Sequence, residues 1–290
     1  MTAAMLETGR WSERRRRAGD RAERWPFAAE VLAFYGALLD TQQRIYDLAR
    51  ERRPEPGRVA EFVAEAAFPH IIEVSIDRGP ERLKNSVIER FHEADSAQLV
   101  RRWLDGAELD PVDRYVARAS TSPVLEALDH AALRALAGKR TDERHCPACG
   151  GAPQVSYFGL SSEDLVIAHR YLECSRCAGT WAYARMTCAS CGENDTTKLM
   201  VYSEVGSLEG ERSKELVKHG AGDPNPALPG SQFPHMRIDG CRTCSRYLLT
   251  VDMARDGKAV PAVDELAALP LDLYAKELGL TKITPNLMGF

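Results

Sequence analysis

The chain has 290 residues, 44% of them hydrophobic, enough to build cores without help from disulfides. Its formal net charge is -4, so no global positive field draws it to nucleic acid or anionic lipid. No stretch approaches the run of about 18 apolar residues that spans a membrane, and no apolar run follows Arg14, Arg15, Arg16 and Arg17 to make them an export signal. The expectation is a cytoplasmic protein without membrane insertion, its arginine run lying in a solvated or disordered arm over 1–25.

From Phe27 to Ala49, Val31, Tyr35, Leu38, Gln42, Ile45 and Ala49 recur at helical spacing, and the run ends at Pro54, Pro56 and Gly57. Further helices are expected at about 58–67, 81–93, 96–104 and 111–120, the third capped by Ser96. Ser122 and Pro123 read as the start of another helix that stops at Gly138. Residues 1–140 therefore form a helical domain.

The second half changes period. PQVSYFG at 153–159 and VIAHRYLE at 166–173 read as a hairpin, and the segment 178–187 alternates Trp181, Tyr183 and Arg185 with small or apolar residues, as a strand does. TTKLMVYSE at 196–204 and RYLLTVDM at 246–253 read as strands too, while Gly, Pro and charge mark 206–235 as a long surface loop. The fold class is α+β. A helical domain is followed by a first rubredoxin-like or zinc-ribbon module at 141–187, a second at 188–255, and a helical tail at 256–290.

All eight cysteines fall into Cys-x-x-Cys turns: Cys146 and Cys149, Cys174 and Cys177, Cys188 and Cys191, Cys241 and Cys244. A two-residue gap lets both thiolates of a turn point at one ion while nearby amides donate to the sulfurs. Disulfides suit a reducing compartment poorly, and thioredoxin-like chemistry needs a single motif at a strand-to-helix junction. Ten residues separate the second and third turns, and in strand conformation they span about 30 Å. Cys146, Cys149, Cys174 and Cys177 are therefore assigned to one site, and Cys188, Cys191, Cys241 and Cys244 to another. A cross-brace joining the first turn to the third and the second to the fourth stays open. Four thiolates suit iron or zinc alike and leave no position for substrate or activated water, which argues against catalysis at the metal.

CPACGGAP at 146–153, RYLECSRCAGTWAYARMTCASCG at 170–192, CRTCSRYLLTVD at 241–252 and the ending LPLDLYAKELGLTKITPNLMGF resemble the FdhE family of formate dehydrogenase accessory proteins. The resemblance implies a non-catalytic cytoplasmic maturation factor with two rubredoxin-like modules holding iron or zinc. It also implies, as partner, the catalytic subunit of a formate dehydrogenase before assembly or export, with its export signal included in the surface bound. Two other readings are a rubredoxin-like redox protein acting on that subunit and a zinc-ribbon nucleic-acid binder. The acidic balance speaks against the second. A homodimer is left open.

Other residues carry weaker signals. His145 precedes the first turn and His169 sits on an expected strand; with each site closed by cysteines, both are expected to lie outside the coordination sphere. Trp181 and Tyr183 cover a thin core or present an aromatic recognition face. Asp272 and Lys276, four apart, read as a helix-surface pair, and Asn286 has no assigned role.

Overall fold

The computed structural model describes residues 3–91, 95–137, 142–159, 168–204, 216–219 and 231–290. Eight helices come first: α1 (Ala3–Arg24), α2 (Ala29–Arg52), α3 (Val59–Ala66), α4 (Phe68–Arg78), α5 (Glu81–Arg90), α6 (Ser96–Leu104), α7 (Pro111–Ala127) and α8 (His130–Ala137). Strands follow as β1 (Pro153–Phe158), β2 (Arg170–Cys174), β3 (Thr180–Tyr183), β4 (Leu199–Glu204), β5 (Leu216–His219), β6 (Met236–Cys241) and β7 (Arg246–Asp252). Two helices, α9 (Pro261–Ala267) and α10 (Leu269–Glu277), and a short β8 (Thr281–Lys282) complete the chain. The expected α+β class holds. Most of the expected surface loop, 206–235, lies outside the described residues, but β5 falls inside it and pairs with β4.

The arginine run corrects the expectation of a disordered arm. Residues 3–24 form α1, with Trp11, Arg14, Arg17, Ala18 and Arg21 all buried. Helical spacing puts these residues on one face, and each buried arginine meets a carboxylate from elsewhere in the chain. Arg14 donates to Glu126 on α7 at 3.0 and 3.2 Å. Arg17 grips Asp264 of α9 through two bonds of 2.7 and 2.8 Å, and Arg21 reaches Asp264 and Asp256 at 2.8 and 2.7 Å.

Two helix boundaries also differ. The cap of α6 is Asp95, which accepts from the Gln98 amide, rather than Ser96. Pro123 does not open a helix; it sits inside α7. A proline there leaves the Ala119 carbonyl without its usual donor, and the side-chain amide of Gln42 on α2 supplies one at 2.9 Å. The next helix, α8, is capped by Asp129, whose carboxylate accepts from the amides of Ala131 and Ala132.

Strands from both cysteine-bearing segments merge into one sheet, in the order β3-β2-β1-β7-β6-β4-β5, with β8 paired to β7. The merger is the parallel pairing of β1 with β7, which sets Ser156 opposite Thr250 and Tyr157 opposite Val251. Strand β6 was not anticipated; it pairs with both β4 and β7. Alternation then sorts the side chains by face. Val155, Met236, Ile238, Leu249 and Val251 belong to the large core shared with the helices. On the opposite face Leu172, Ala189 and Leu248 form a separate small cluster, covered by Trp181, Tyr183 and Ile283.

The expected strand over 178–187 is only four residues long, and the chain turns off after Tyr183. Arg170 holds that turn: it donates to the carbonyls of Thr187 and Ala184, bonds Ser156 and pairs with Asp239. Residues 184–190 are thereby brought to the helix-free face of the sheet.

Candidate metal centres

The four Cys-x-x-Cys turns share one backbone design. In the first three, the amide of the leading cysteine donates to the carbonyl five residues on, and the residue after the second cysteine donates back: Cys146 to Gly151 and Gly150 to Cys146, and likewise for Cys174 and Cys188. In the fourth, Cys241 is register partner to Arg246, five residues ahead. The residue after each second cysteine is left-handed, with φ of 68° at Gly150, 50° at Ala178, 80° at Gly192 and 53° at Ser245. Glycine adopts that conformation without penalty; alanine and serine do not. Gly151 is needed for another reason, since a Cβ there would lie 2.6 Å from the Cys174 sulfur.

These turns meet in the sequential arrangement. Cys146, Cys149, Cys174 and Cys177 form one group and Cys188, Cys191, Cys241 and Cys244 a second, the four sulfurs of each lying within 4.8 Å of one another. Sγ–Sγ distances are 3.7 Å for Cys146–Cys177, 3.4 Å for Cys149–Cys174, 3.8 Å for Cys188–Cys244 and 3.7 Å for Cys191–Cys241. A tetrahedral ion with metal–sulfur bonds of about 2.3 Å requires edges of about 3.8 Å, so the donor sets fit such an ion. Amides assist, with Arg176 N–H 3.3 Å from the Cys174 sulfur and Ser190 N–H 3.4 Å from that of Cys188. Hydrogen bonding to Cys149, Cys174 and Cys177 pulls the Cys146 thiol down, while the thiols around Cys177 push it up. A cation is what would let all four ionise together.

The surroundings of the two groups differ. Arg176, inside the second turn, donates to the Trp103 carbonyl and lies 5.2 Å from its ring centroid, and Arg118 of α7 donates to Gln154 and to the Pro285 carbonyl. The first group is sewn to the helices. In the second group, Glu193 accepts from Thr243 Oγ1 at 2.6 Å, clasping the third turn to the fourth. The Thr243 bond, the Asp195 amide and Lys198 hold the Glu193 carboxyl down at about 2. Arg144 donates to the Ser190 carbonyl, linking the lead-in of the first group to the third turn. None of these four, Arg144, Arg176, Glu193 and Thr243, was singled out from the sequence; their nearness to the cysteines was the available signal.

His145 lies outside the cysteine groups, with Nδ1 2.6 Å from Asp142. Burial raises the Asp142 carboxyl, but hydrogen bonds from His145 and Arg144 outweigh it and bring the group down to about 2. His169 is exposed and, with His145, Trp181 and Tyr183, lines a groove of about 710 Å³ beside β3. Trp181 Nε1 donates to the Glu143 carbonyl and Tyr183 OH to the Cys188 carbonyl, so both aromatics have structural partners. Asp272 is no helix-surface partner of Lys276. It is buried, accepts from Tyr247 OH at 2.8 Å and pairs with Lys282, which also pairs with Glu265. Asn286 Oδ1 accepts from the amides of Met288 and Phe290, closing the final turn.

A third cluster, His235, Asp256 and Asp264, has metal-like spacing. Its two carboxylates are already neutralised by Arg17 and Arg21, so the cationic places are taken. No described helix is long and apolar enough to cross a membrane.

Comparison with known proteins agrees with the cysteine framework. Residues 145–185 match the family description "FdhE, central domain" and residues 229–288 match "FdhE, C-terminal domain". A "Protein FdhE homolog" of Aquifex aeolicus (strain VF5) is 26% identical, covering 92% of this chain and 91% of the relative. One of Stutzerimonas stutzeri (strain A1501) is 26% identical, covering 90% and 83%. The crystal structure of the FdhE protein from Pseudomonas aeruginosa shares the fold with a TM-score of 0.61 at 22% identity, over 96% of this chain and 94% of that one. With three of the four cysteine turns inside the matched segments and relatives aligned along nearly its whole length, the chain is similar to the proteins of the FdhE family.

Proposed function

We propose that this protein is a non-catalytic accessory factor for the maturation of formate dehydrogenase, acting in the cytoplasm on the catalytic subunit before assembly or export. The likeness to FdhE proteins carries this reading. Each cysteine group holds one iron or zinc ion through four sulfurs, Cys146, Cys149, Cys174 and Cys177 in the first and Cys188, Cys191, Cys241 and Cys244 in the second. With four protein donors per ion, no position is open for substrate or an activated water, so the ions act as architecture or, if iron, as a one-electron couple. The chain's own residues position the turns: Arg176 fastens the second to α6, and Glu193 fastens the third to the fourth.

Calorimetric titration of metal-loaded protein into the purified catalytic subunit of a formate dehydrogenase from the same source tests the role. Saturable binding is expected, weakened in a Cys174→Ser, Cys177→Ser variant and absent with duplex DNA. No complex with the subunit would overturn the accessory reading while leaving the cysteine geometry untouched. Absorption spectra before and after reductant distinguish the metals: iron gives a visible colour that bleaches, zinc none.

A further inference from the structure

The two cysteine groups have the same donors and nearly the same sulfur spacing, yet they are packed differently. Cys146, Cys149, Cys174 and Cys177 are each between 3% and 5% exposed. Arg176 bridges their second turn to Trp103, and Gly150 lies so close to α8 that an added Cβ would meet the Ala137 carbonyl at 3.3 Å. In the second group Cys188 and Cys241 are buried, but Cys191 and Cys244, one from each turn, are half-buried and open to solvent. The clasp between those turns, Glu193 to Thr243, is itself exposed.

Exchange of a four-coordinate ion proceeds through an expanded coordination sphere, the incoming donor bonding before a resident donor leaves. The rate is then governed by whether a fifth donor can reach the ion. At the first group α6 and α8 pack against the turns and all four cysteines are buried, Cys146 bordering the groove beside β3 with only 3% of its surface exposed, so little room is left for one. At the second the route passes Cys191 and Cys244.

From this asymmetry we infer that the second group is a metal-exchange site, which gives up and accepts its ion through attack by soft or nitrogen donors, whereas the first group is locked. The inference rests on the reading that both groups hold metal. In the exchange step the incoming donor forms a bond to the ion, the bond to the Cys191 or Cys244 sulfur breaks, and the released thiolate takes a proton from solvent. No electron moves. The incoming donor is a nitrogen chelator in the test below and, by the same chemistry, a thiolate of another protein.

The experiment uses the full chain loaded with zinc, its metal content counted first. Excess 4-(2-pyridylazo)resorcinol should then withdraw zinc in two phases of one equivalent each, the first at least tenfold faster. A Cys191→Ser, Cys244→Ser variant should retain one equivalent and show the slow phase alone. Brief treatment of the unaltered zinc-loaded protein with iodoacetamide, followed by peptide mapping, should label Cys191 and Cys244 ahead of the four cysteines of the first group, a readout independent of whether the variant folds. Two zinc ions leaving in one phase, or first-group cysteines labelled as fast, would overturn the asymmetry and leave the metal reading intact. A chain that takes up no zinc or iron would overturn both.

Discussion

The two faces of the sheet are held in different ways. One lies against α9 and α10, with α1 and α2 packed on α9 behind them, and its Val155, Ile238, Leu249 and Val251 are all completely buried in the large core. The other has a cluster of only three buried residues, Leu172, Ala189 and Leu248, and relies on polar fastening. There Ser156, Thr250, Asp239 and Arg170 form one hydrogen-bonded chain, and Arg170 ties the crossing segment to it. Area buried stabilises the first face, while fixed geometry, including whatever ion the second group holds, stabilises the other. The same strands thus serve a hydrophobic core on one side and a polar, cysteine-bearing layer on the other.

The largest expected effect lies on the helical side. Asp264→Ala would leave Arg17 and Arg21 buried with Asp256 as their remaining carboxylate partner, and should cost about 3–5 kcal/mol in urea-induced unfolding. A loss below about 1 kcal/mol would mean that α1 is not anchored as described. Next come two adjacent leucines on opposite faces. Leu249→Ala should cost about 3 kcal/mol with zinc content unchanged, whereas Leu248→Ala should cost about 2 kcal/mol and also speed zinc loss from the second group. Equal effects on zinc retention would erase the distinction between the faces.

A smaller gain is expected from Ala178→Gly. It relieves a left-handed alanine at φ 50° but loosens the unfolded chain, for a net stabilisation of about 0.5 kcal/mol by thermal unfolding. A loss of stability would show that the methyl group makes a contact worth more than the strain. Smallest is the pH response of Asp142, whose carboxyl lies at about 2 rather than its ordinary 3.8. A depressed carboxyl contributes stability above the unfolded value, and that contribution is lost as pH falls through the folded one, here between about 4 and 2. Carboxyl NMR titration should place the midpoint near 2, and a value near 4 would remove the His145 and Arg144 bonds as its cause.

The cysteine framework was legible because its spacing is local: each turn is four residues long, and the left-handed position after it is written as glycine at Gly150 and Gly192. The hairpin strands and most helices were legible from period. Helix α1 was not, because a run of arginines reads as a solvated surface until its carboxylates are known, and Glu126 and Asp264 lie 112 and 247 residues away. Trp11, Ala18 and Trp25, spaced by seven, were the overlooked sign of a buried face. Asp272 misled in the same way, since Lys276 is near in sequence while Tyr247 and Lys282 are its partners in space. Strand β3 was overextended because alternation persists to Arg185, beyond the point where Arg170 draws the chain aside.

The parallel pairing of β1 with β7 bears on synthesis as well as on shape. On the ribosome, all four cysteines of the first group have been made once residue 177 emerges, and they can close on an ion from local contacts alone. Strand β1 must then wait for β7, Arg246–Asp252, before its second edge is covered. During that interval a nascent chain presents an uncovered strand edge and a first metal site that already fixes the β1–β2 hairpin. Early ion capture at the first group would keep that edge in register until the rest of the sheet arrives.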